Sequence, residues 1–118
     1  MPMDRNSLLN AIVDDGIEEV RHTYLRPDQH DRLEGSIAGF EACRGLDDES
    51  LLTLRDQARI DTHEAMAAES RDYWRVRHRE LQIEWTINVL SAAMHAHGLP
   101  PLAPPTMRGL LKASEILA

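Results

Sequence analysis

The fold turns on one stretch, Asp48 to His97, DESLLTLRDQARIDTHEAMAAESRDYWRVRHRELQIEWTINVLSAAMHAH. No glycine, proline or asparagine-rich turn interrupts it. At a helical step per residue, Leu51, Leu54, Ala58, Thr62 and Ala65 form one narrow stripe, and Val76, Ile83, Ile87, Leu90 and Met94 continue it on the same bearing. The unbroken phase favours one long helix over two consecutive helices joined near Ala68–Arg71. A single helix of this length would extend about 75 Å, roughly twice the diameter of a compact domain of this size.

The second half of the stretch carries a further apolar face: Trp74, Leu81, Trp85, Val89, Ala92, Ala93 and Ala96. Between the two faces runs a thin polar line, chiefly Arg77, Glu84, Asn88, Ser91 and His95. A helix apolar around most of its circumference must be buried on two sides. Shorter helices before it can cover one side, and a second copy of the chain is expected to cover the other. The residues expected at that dimer interface are Ile83, Trp85, Ile87, Leu90 and Met94, joined by Leu110 and Leu111 from the C-terminal segment.

Working outward, an amino-terminal helix is expected from Asp4 or Asn6 to about Tyr24, with Leu8, Leu9, Ile12, Val13, Ile17 and Val20 spaced by threes and fours. Arg26-Pro27-Asp28 breaks the chain. A second helix follows from about Asp28 to Arg44 and buries Leu33, Ile37 and Phe40. Gly35 and Gly39 lie one turn apart in it. Each costs about 1 kcal/mol relative to alanine, so the pair predicts close approach of another backbone. Gly45 suits the end of that helix and Asp47 the cap of the next, with Leu46 and Leu51 as a hydrophobic staple.

After Gly98, the run Leu99-Pro100-Pro101-Leu102-Ala103-Pro104-Pro105 is extended. Thr106 can cap a short amphipathic helix containing Met107, Leu110, Leu111 and Leu117, and this arm is expected to pack elsewhere, on a neighbouring subunit for example. The fold class is thus all-α, a helical bundle completed by dimerisation. Residues 1–98 form the helical domain and 99–118 the linker and terminal helix. Strand signals are absent: aromatics are scarce and no Asn-Gly or Asp-Gly turn occurs.

The 118 residues fit one domain, and 42% apolar content suffices for a core. A formal charge of −7 argues against indiscriminate binding to nucleic acid or to an anionic membrane. Charge is uneven: residues 1–70 carry 16 acids and 7 bases, residues 71–118 only 4 acids and 6 bases, so the two parts should attract each other. Cys43 is the only cysteine, which excludes an intrachain disulfide and a multi-cysteine zinc site. With no secretory-type leader at Met1-Pro2-Met3-Asp4-Arg5-Asn6 and no apolar run near the ~18 residues of a membrane span, the sequence reads as cytoplasmic.

Three places could carry chemistry. Arg71, Arg75 and Arg79 stack at one-turn intervals beside Trp74 and His78, a guanidinium-plus-aromatic surface that suits an anionic ligand or nucleic acid. The competing reading pairs these arginines with the acidic amino-terminal helices. Glu19 and His22 have the Glu-x-x-His spacing of helical di-metal proteins, but no second such motif exists. His63-Glu64 lacks the second histidine of a zinc motif, and His95 and His97 diverge on a helix. Cys43, among small helical residues, reads as buried and inert. No cofactor is predicted, and no motif carries a resemblance to a known family. The leading expectation is a non-enzymatic, homo-oligomeric helical protein acting through protein contacts; an anion- or nucleic-acid-binding module and a metal-dependent enzyme are the alternatives.

Overall fold

A computed structural model describes residues 4–118; the leader reading at Met1 to Met3 lies outside them. Five helices appear: α1 (Arg5–Thr23), α2 (His30–Cys43) entered through a 3-10 turn at Pro27–Gln29, α3 (Asp48–Ala67), α4 (Tyr73–Ala96) and α5 (Met107–Leu117). The all-α class holds, and no strand occurs among the described residues. No described helix is long and apolar enough to cross a membrane.

Local chemistry sets the helix ends. Asp4 accepts from the Ser7 N–H at 2.7 Å, Asp47 from the Ser50 N–H at 2.7 Å, and Thr106 from the Gly109 N–H at 3.0 Å, each satisfying a donor that the first turn leaves unpaired. Gly45 and Gly98 take positive φ, 69° and 73°, where a helix must reverse out of its last turn.

The stretch 48–97 is two helices, and the single long helix favoured by its phase is not formed. The molecule is only 46 Å along its longest axis, too short for it. Beyond the Ala68 cap, Glu69 adopts φ 49°, its N–H donates to the Met66 carbonyl at 3.1 Å, and the Ser70 N–H reaches the Ala65 carbonyl at 2.9 Å. This is the Schellman closure usually built on glycine, made here with glutamate. Ser70 Oγ then accepts from the Asp72 N–H at 3.1 Å and α4 begins.

Helix α4 is the central post, flanked by α1, α2, α3 and α5. On the α2 side contact is direct: a Cβ at Gly35 would fall on the Arg75 carbonyl, and one at Gly39 on the Arg79 carbonyl. The two glycines therefore do mark a close backbone approach. The core is formed by Leu8, Leu9, Ile12, Val13, Phe40 and Leu51 against Ile83, Ile87, Val89, Leu90 and Ala93.

Four of the residues expected at a dimer interface are core residues of one chain. Ile83 and Leu90 have no exposed surface, and Ile87 and Met94 almost none. The 99–118 segment, moreover, does not leave the body as an arm. Its linker packs Leu102 and Ala103 on the core, and α5 lies along α4 with Gly109 and Ala113 buried. The polar line of α4 receives these elements: Ser91 Oγ accepts from the Ala103 N–H at 3.1 Å, Asn88 Oδ1 from the Thr106 hydroxyl at 3.4 Å, and Glu84 from Arg59 of α3 at 2.6 Å. Of the second face, Val89, Ala92 and Ala93 are thus buried within the chain, while Trp74 and Leu81 stay exposed.

Candidate interaction site

The α3–α4 corner gathers the largest aromatic cluster of the molecule. The tight closure at Glu69 and Ser70 brings the last turn of α3 beside the first turn of α4. Met66, Tyr73 and Trp74 then surround a concavity of about 350 Å³, with Ala65, Glu69 and Ser70 completing its lining. Trp74 stays 49% exposed and Met66 58% exposed. The Tyr73 and Trp74 rings meet edge to face at 5.2 Å.

Two partners, one from α2 and one a turn along α4, flank Trp74. The Arg32 guanidinium of α2 lies 4.8 Å from the centre of the indole, a cation–π contact. His78 stands behind, one turn along α4, with its ring 6.0 Å from Trp74 and 5.6 Å from Tyr24 of α1. Its Nδ1 donates to the Trp74 carbonyl at 2.9 Å. Burial pushes the imidazole pKa below its ordinary value, and the nearby Arg32 and Arg77 act the same way, against the opposing effect of the Trp74 carbonyl. His78 is a packed, neutral support for the tryptophan.

The basic ladder is occupied by acids. Arg75 contacts Glu34 at 2.9 Å, Asp31 at 3.2 Å and Asp72 at 3.4 Å, so its charge is more than matched. Arg79 lies 3.9 Å from Asp61, and Arg77 bonds Glu80 at 2.5 Å. Of the candidate set, Arg71 alone projects from the corner with no ion pair among the described residues. The expected attraction between the acidic and basic parts of the sequence is met inside one chain, by these pairs and by Lys112 with Asp15 and Glu19.

Glu19 and His22 line one open concavity with Asp15, Glu18, Thr23 and Lys112, and there Glu19 is held 2.9 Å from the Lys112 ammonium. Among the described residues no three histidine, cysteine, aspartate or glutamate side chains come together as a metal would require. Burial lifts the Cys43 thiol to about 11, and its Sγ donates to the Gly39 carbonyl at 3.4 Å. Of the expected interface set, Trp85 is half-buried under Arg108, Leu110 is partly buried, and Leu111 stays 61% exposed on the outer side of α5.

Sequence reasoning missed Arg32, Met66, Tyr73 and Tyr24 as members of the aromatic corner. Met66, Arg32 and Tyr24 come there through the α3–α4 break and the packing of α2 and α1 on α4, none of which is a local pattern, whereas Tyr73 adjoins Trp74 in sequence. Comparison with models of known families, with curated proteins and with solved structures finds no match.

Proposed function

We propose that this chain is a non-enzymatic helical protein that works through protein contacts, docking at the aromatic corner, and that its first partner is a second copy of itself. The observation that carries this reading is the exposure of Trp74 beside an open apolar concavity at the start of the central helix. Tryptophan, tyrosine and arginine are the residues that dominate binding energy at protein interfaces. Trp74, Tyr73 and Arg32 supply all three within one patch.

The rim favours a two-fold contact. Glu69 lines one edge of the concavity, and Arg71 projects from the same corner two residues away. In an isologous pair the acid of each copy can face the base of the other while the apolar centres meet. The acids packed around Arg75 weigh against docking of phosphate groups at the same place, since an anion approaching Arg75 meets Asp31, Glu34 and Asp72 first.

Sedimentation velocity at micromolar concentration tests the reading. The wild-type chain should sediment as a dimer, and Trp74→Ala as a monomer with unchanged helical circular dichroism. A wild-type chain that remains monomeric, or a Trp74→Ala variant that dimerises as well as wild type, overturns docking of a second copy at this corner.

A further inference from the structure

A second concavity, of about 340 Å³, lies on the opposite side of His78, among α1, α2, α4 and α5. Its floor is built deliberately in the physical sense that a helix-weakening residue makes it possible. Gly16 sits in the middle of α1, and a Cβ there would fall on the ring of Phe40. Glycine in a helix interior costs about 1 kcal/mol relative to alanine, and here it lets the Phe40 ring lie flat against the α1 backbone. Phe40 and Val20 thus close the base, Trp85 forms a wall, and Thr23 and Gln82 supply hydrogen-bonding groups at the sides.

The rim carries an uncommitted cation. Arg108, in the first turn of α5, places its guanidinium 5.8 Å from the centre of the Trp85 indole and makes no ion pair among the described residues. The one carboxylate lining the cavity, Glu19, is already satisfied by Lys112 at 2.9 Å. Burial draws the Lys112 pKa down, but Glu19 and Asp15 outweigh it and hold the ammonium above its usual range, so the compensating charge persists at neutral pH. Lys112 is shared among Asp15, Glu19 and Glu115, which leaves Arg108 as the cation at this rim not already held by a carboxylate among the described residues. The positive end of the α5 dipole adds to its attraction.

We propose that this cavity binds a small planar carboxylate, its ring against Trp85 and its carboxylate on Arg108. The volume falls within the range of small-molecule pockets, and Thr23, Gln82 and Arg108 bring polar groups to the same opening as the Trp85 ring. Arg108 offers the planar, two-pronged donor that a carboxylate matches. The site shares Tyr24 with the aromatic corner but none of the residues lining the corner's concavity, and the proposal does not depend on the chain dimerising.

The test is a proton–nitrogen NMR titration of the full chain with cinnamate and, separately, with its uncharged amide. Cinnamate should shift the Trp85 indole N–H and the Thr23 and Gln82 signals saturably at millimolar concentration, and the amide should bind at least about tenfold more weakly, as the loss of one charge-assisted contact implies. Arg108→Gln, a change at an exposed position, should weaken cinnamate by a similar factor while the spectrum remains that of the folded chain. Absence of saturable shifts, equal binding of acid and amide, or cinnamate binding untouched by Arg108→Gln would each overturn the proposal.

Discussion

The carbonyl of Arg75 occupies the space that a side chain on Gly35 would need. Because the obstruction is backbone on a central helix, it cannot swing aside. Gly35→Ala should therefore destabilise the fold despite alanine's better helix propensity, by about 1–3 kcal/mol of overpacking cost beyond the intrinsic gain. Urea denaturation at constant slope should show the lowered midpoint. A stabilised variant would contradict the contact.

The hydroxyl of Ser91 is fully buried and accepts the Ala103 N–H, so it fastens the linker to α4. Ser91→Ala leaves that amide without a partner and should cost about 1–3 kcal/mol. Hydrogen exchange at Ala103 should accelerate while exchange at core amides such as Val13 changes only with global stability. Unchanged protection at Ala103 would contradict it.

Cys43 has no exposed surface, and its thiol is raised to about 11 by burial. The native chain should resist a disulfide reagent at neutral pH, with labelling that appears only on unfolding in denaturant. Rapid stoichiometric labelling of folded protein would contradict this burial.

The pH dependence of stability should carry a signature of His78. In the unfolded chain its imidazole takes a proton near the ordinary value of about 6.5, whereas in the folded chain the pKa is lower. Between those two values the unfolded state binds more protons, so stability falls as pH drops through that window and levels off below the folded pKa. Wild type should accordingly lose more stability than His78→Gln on acidification from neutrality to about pH 5.5. Equal losses would contradict the shift.

Most of the helices were legible because their causes are local. Asp4, Asp47 and Thr106 cap where their side chains can reach the first free amides, and Gly45 and Gly98 end helices at positive φ. Ala68–Arg71 could be named as the place for a break between α3 and α4, but the break itself was not favoured, because Glu69 enters the left-handed region without glycine's advantage. Helical phase offered no warning either. Ala65 and Ile83 face the same core on separate helices, and phase reports which residues face a core, not whether the chain runs straight between them.

The same limit explains the candidate sites. Trp74 and its neighbours on α4 could be read from spacing, but spacing cannot say that Asp31 and Glu34 approach Arg75 or that Arg32 covers the indole. Part of the second face of α4 is covered within the chain for a related reason: Asn88 and Ser91 read only as part of a thin polar line, and they are the attachment points of the linker and α5.

Gly35 and Gly39 also govern which walls of the Phe40–Trp85 cavity can move. With α2 seated directly on the α4 backbone, an axial slip of one residue would drive Ser36 or Phe40 into the carbonyls now facing glycine. Phe40 and Gln82, carried by those two helices, are therefore fixed jaws. Any widening to admit a ligand must come from α1 and α5 hinging outward together, since Lys112 ties one to the other through Asp15 and Glu19.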